Sequence, residues 1–132
     1  MLSVFPEILF LAPLSATILR AAVACIFFYS ATMQVRESAA LAETPVPIFG
    51  KGMWIVRMFI ISDTVIGVML LTGSFTQVAA IFGMIGAAVA LIWMPTYLER
   101  THLSRGTVVL TFIILLSLLL TGAGAFAFDL PL

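Results

Sequence analysis

Three polar side chains, Arg20, Asp63 and Ser117, stand in stretches that are apolar apart from them and a few hydroxyl and amide groups. An ionised carboxylate or guanidinium near the middle of a bilayer costs at least ~3 kcal/mol, so opposite charges placed there are expected to find each other. A carboxylate in such surroundings can hold a proton, hydrogen-bond a ligand, or lock one helix to another through a cation. Little else in the chain offers chemistry. His102, the single histidine, lies beside Glu99 and Arg100 and reads as a solvated loop residue rather than a general base. Two histidines facing each other across a bundle, as intramembrane haem requires, are absent. Metal-ligand spacings, a glycine-rich phosphate loop and a nucleophile elbow are absent too, so no metal site and no catalytic residue is expected. The seven methionines lack MxxM clustering and read as packing and lipid-facing residues. Cys25 has no second cysteine for a disulfide or a dithiol pair, and reads as a small packing residue.

The elements that must position these groups follow from composition. The 132 residues are 63% hydrophobic and 9% charged, with a mean hydropathy of +1.25, which places the chain in a bilayer. Six Lys and Arg balance six Asp and Glu, so there is no cationic surplus for nucleic acid. Spans of ~20 residues divide the chain into four and leave no room within it for a separate soluble catalytic domain. From Thr64 to Leu98 there are 35 residues without Asp, Glu, Lys or Arg, interrupted by one strong turn signal, Gly73-Ser74. A hairpin across the membrane needs ~40 residues plus a turn, so its first helix must begin near Met53 and carry Asp63 inside. The expected architecture is all-α: a polytopic membrane protein forming one domain, a bundle of four transmembrane helices at about 9–35, 53–72, 76–94 and 107–126. Pro95 is expected to end the third. Helix one lacks the leading cations of a signal sequence and is read as retained.

Arg36, Lys51, Arg100 and Arg105 lie in or beside the two longer connections, whereas the Gly73-Ser74 turn and both tails carry no Lys or Arg. That bias predicts a cell-membrane protein with these two loops cytoplasmic and both termini on the outer side. Trp54, Trp93 and Tyr97 are expected at head-group level, and Arg57 as a snorkelling residue. At 1.5 Å per residue, Asp63 lies ~15 Å from Met53, Ser117 lies at a similar depth, and Arg20 lies ~21 Å from Gln34. With Gln34 and Met53 taken as level, an Arg20–Asp63 ion pair is predicted. Ala16, Ala24 and Ala31 share the face of Arg20, and Gly67 that of Asp63, as close helix packing requires. Ala79, Gly83 and Ala87 repeat the device on the third span.

The segment LRAAVACIFFYSATMQV, Leu19 to Val35, resembles the first helix of DoxX-type membrane proteins, with Arg20, Ala24, Phe27, Ala31 and Gln34 at the marked positions and glutamine where lysine is common. SDTVIGVMLLTGSFTQVAA is similar to the family's second helix, with Asp63 where glutamate is usual. LLLTGAGAFAFD, Leu118 to Asp129, resembles its closing signature, with Ala125 where arginine is common. The resemblance implies a four-helix integral membrane protein, some of whose relatives are subunits of thiosulfate:quinone oxidoreductase or other membrane oxidoreductase assemblies.

Two expectations stand side by side. In the first, the chain is a redox-associated subunit that carries no electron carrier, depends on an oxidoreductase partner, and offers a quinone or lipid pocket near Arg20, Asp63 and Ser117. In the second, it is a non-catalytic assembly protein whose buried ion pair only holds the bundle. Proton-coupled export of small molecules is a third reading, disfavoured by the one-sided loop charge. A second copy of the chain is a further candidate partner, because four helices enclose little interior.

Overall fold

A computed structural model describes residues 12–46, 48–93 and 95–122. Six helices follow one another: α1 Ala12–Arg36, α2 Ser38–Glu43, α3 Met53–Thr72, α4 Thr76–Trp93, α5 Pro95–Arg100 and α6 Arg105–Thr121. Among the described residues the one extended pairing is an isolated bridge between Val46 and Gly50.

Glycine and hydroxyl residues set the helix ends. Gly52 precedes α3, and Gly73 closes it in the left-handed region at φ 72°, donating its N–H to the carbonyl of Met69. Ser104 caps α6 by accepting from the backbone N–H of Thr107 at 3.1 Å. Pro95 does more than end a helix. It occupies the first position of α5, where the missing N–H costs nothing, so the polar connection before α6 contains a helix of its own. Thr101 fastens the end of α5 by donating from Oγ1 to the carbonyl of Tyr97 at 3.0 Å.

The long helices pack as a ring, α1 most extensively on α3 and α4 on α6, with α3 on α4 and α1 on α6 closing it. Their shared core includes Val23, Ala24, Leu70, Ala79, Leu115 and Leu118, all fully buried. Small residues permit this closeness. A Cβ added at Gly83 would lie 2.9 Å from Leu115 Cδ1 and 3.0 Å from Phe27 Cζ, and one at Gly67 would lie 3.1 Å from the Phe28 ring. A second cluster under the loops joins Leu41, Val46, Val56 and Tyr97.

The outside is as apolar as the inside. Ile61, Val68, Phe82, Ile85, Leu110 and Ile113 all stand exposed, a surface suited to acyl chains rather than water. Cys25 is also exposed, on the outer face of α1, so it does not fill the core as its sequence position suggests. By length and composition α1 and α3 can cross a membrane. The apolar stretches Thr76–Ile92 and Arg105–Thr121 are shorter. The outer ends assigned to the first and fourth spans, 9–11 and 123–126, lie outside the described residues, as does Ala125.

Candidate functional site

The register of α1 on α3 decides which polar groups meet. Phe28 sits against Gly67, and Asp63 one turn away accepts two hydrogen bonds from α1. Ser30 Oγ donates to Asp63 Oδ2 at 2.8 Å and Gln34 Nε2 donates to the same oxygen at 2.6 Å. Gln34 Nε2 also donates to Ser30 Oγ at 2.9 Å, which binds the two α1 residues together. The carboxylate is thus held through one oxygen by two neutral donors, and among the described residues no hydrogen bond reaches Oδ1.

This arrangement replaces the expected Arg20–Asp63 ion pair. Arg20 lies eight residues, or ~12 Å, beyond Phe28 on the way to the N-terminal end of α1. In an antiparallel register fixed by Phe28 and Gly67, that is the level of the turn around Phe75, far beyond the reach of one side chain to Asp63. The assumption that Gln34 and Met53 end their helices at one height is the source of the difference: Gln34 lies opposite Asp63, ten residues into α3. Arg20 does face inward, only 2% exposed, on the stripe that carries Ala16, Val23, Ala24 and Phe27. Ser117 is half-buried on α6 and does not join the Asp63 cluster. Its carbonyl accepts from Thr121 Oγ1 at 2.8 Å.

Asp63 and Ser30 open onto a cavity of about 80 Å³ among α1, α3, α4, α5 and α6. At ~10–15 Å³ per water, this is room for roughly five to eight waters, or the bulk of one small ring. Its walls are mostly apolar, with Phe27 and Phe59 among them, and its polar groups are Ser30, Asp63, Tyr97 and Thr111. Thr111 is committed, donating to the carbonyl of Thr107 at 2.8 Å. Tyr97 is not. Its ring lies 6.0 Å from that of Phe59 and the residue is 8% exposed, yet among the described residues its hydroxyl has no hydrogen-bond partner. Burial raises the phenol pKa well above its ordinary value, and the charge of Asp63 adds to the effect, so the hydroxyl stays protonated.

Ser30, Gln34 and Tyr97 are the members that sequence reasoning misses. Tyr97 in particular is expected as an aromatic at head-group level and is instead buried by α5 folding under the bundle. The sequence signal for Gln34 is its place at the lysine position of the first-helix resemblance. His102 is exposed after α5 and Arg57 is exposed on α3, and neither reaches the cavity. Among the described residues no three His, Cys, Asp or Glu side chains gather to hold a metal ion.

An all-helical ring with a lipid-like exterior and one carboxylate in an apolar cavity defines a helical protein of membrane type. More narrowly, the chain belongs to the DoxX family, whose model matches residues 15–96. The matched stretch contains Arg20, Ser30, Gln34 and Asp63 and stops one residue short of Tyr97. No curated protein and no solved structure matches the chain.

Proposed function

We propose that this DoxX protein is a four-span subunit of the cell membrane that holds a quinone head group in the cavity beneath Asp63, beside an oxidoreductase partner that supplies electrons. The observation that carries the reading is that Asp63 and Tyr97, whose hydroxyl has no hydrogen-bond partner among the described residues, line one largely apolar cavity. The phenol donates to a carbonyl oxygen, the carboxylate accepts from a hydroxyl, and Phe27 and Phe59 offer faces for a ring. A bound quinone would supply two-electron, two-proton chemistry. The chain itself contributes orientation through Tyr97, a proton acceptor at Asp63 Oδ1, and hydrocarbon walls that exclude water.

In this reading α4 and α6 are also spans. Their 18 and 17 residues extend ~27 and ~26 Å, a few Å short of a ~30 Å hydrocarbon layer, a mismatch that local thinning accommodates. The basic loops lie in the cytoplasm and both termini outside. Native mass spectrometry of the protein released gently from quinone-rich membranes tests the proposal. Retained quinone, lost in Asp63→Asn and Tyr97→Phe, supports it; protein that never retains quinone overturns it.

The Ser30–Gln34–Asp63 cluster supports a second reading, a purely structural clamp at the α1–α3 seam. Replacing Asp63 and Gln34 together by apolar residues then preserves both folding and partner binding.

A further inference from the structure

Tyr97 is shared by two cavities. Its inner side lines the chamber that contains Asp63, and its outer side lines a larger space of about 340 Å³ between α2 and α5. This outer space is a vestibule of different character, bordered by Glu43, Thr44 and Arg100, with both charged residues exposed. Tyr97 is held in the partition by Phe59 on one flank and by Thr101, which grips its backbone carbonyl. Tyr97 thus borders both spaces, and its buried hydroxyl has no hydrogen-bond partner among the described residues.

Toward the opposite end of the bundle the described residues put hydrocarbon in the way to Asp63. Val23, Leu70, Leu115 and Leu118 are fully buried between the cavity and the level of Arg20, and hydrocarbon of this kind does not conduct ions. A buried hydroxyl without a partner is costly to keep dry, and a water strand entering from the vestibule satisfies it on the way to Asp63.

We infer that Asp63 exchanges water and protons with one side of the membrane only, the side that carries α2 and α5, through the vestibule and past the Tyr97 hydroxyl. The inference rests on the positions of Asp63 and Tyr97 and not on the identity of any bound ring, so it stands or falls separately from quinone binding.

Silver ion is a suitable probe, because it is small, travels in water and reacts with thiolate. With Cys25→Ser as background, Ser30→Cys places a thiol in the inner chamber, and Thr111→Cys does so from α6 if the first variant fails to fold. Thr44→Cys and Thr72→Cys report access from the α2/α5 side and from the α3–α4 turn. In oriented vesicles without quinone, Ag⁺ is applied to one side and the thiols left are counted with a maleimide after denaturation. The expected result is chamber protection only from the side that protects Thr44→Cys, at least tenfold faster with Tyr97→Ala and at least tenfold slower with Tyr97→Trp. Protection from the Thr72→Cys side, protection from neither side, or a rate indifferent to residue 97 overturns the inference.

Discussion

The contact between Gln34 and Asp63 is open to measurement through Gln34→Met, which keeps the side-chain volume and removes every donor. Taken alone the substitution is ambiguous. It deletes a 2.6 Å bond to a carboxylate, worth ~1.5–3 kcal/mol, and also deletes the buried Gln34 Oε1, whose lack of a partner costs ~1–3 kcal/mol. The two terms oppose each other, and the net change falls near zero or moderately unfavourable. A double-mutant cycle with Asp63→Ala separates them, because the acceptor is lost in both backgrounds and cancels. The coupling that remains is predicted at ~1.5–3 kcal/mol, measured by unfolding in mixed micelles titrated with SDS. Neutral interhelical bonds in membranes average ~0.6 kcal/mol, so a coupling at or below that level refutes a charge-assisted bond.

Arg20→Met combined with Asp63→Ala is expected to be additive within ~0.3–0.5 kcal/mol in the same titration, since the register keeps the two apart; a larger coupling restores the ion pair. Gly83→Val drives a branched side chain into Leu115 and Phe27 and should destabilise by ~1–3 kcal/mol, whereas Gly86→Ala, with nothing within 4 Å, should be neutral or gain up to ~1 kcal/mol. The buried Tyr97 phenol titrates above its unfolded value of ~10, so its contribution to stability is complete below pH ~10 and is lost as pH rises further. Melting curves of the wild type from pH 8 to 11 should fall above pH ~10, and Tyr97→Phe should flatten that fall by up to ~1.4 kcal/mol per pH unit.

Helix positions are legible in the sequence wherever a residue type punctuates the chain. Gly73 marks the end of α3, and the alanines at 16, 24 and 31 mark the inner face of α1. Asp63 is legible as a site because a carboxylate in hydrocarbon costs enough to demand a reason. Its partners are not, because a serine hydroxyl and a glutamine amide are cheap to insert and leave no such mark. The register of α1 on α3 depends on which bulky side chain meets which glycine across the 38 residues between Phe28 and Gly67, and helix-depth arithmetic contains no term for that. Tyr97 is hidden for another reason: an aromatic beside a proline at a span end matches the interfacial pattern, and only the folding of α5 beneath the bundle shows otherwise.

The notch at Gly67 also limits how the protein moves. Sliding α3 along α1 by one turn, 5.4 Å, brings Asp63 or Leu71 opposite the Phe28 ring in place of hydrogen, and neither fits where a single Cβ is already tight. The first and third helices therefore travel as one rigid body.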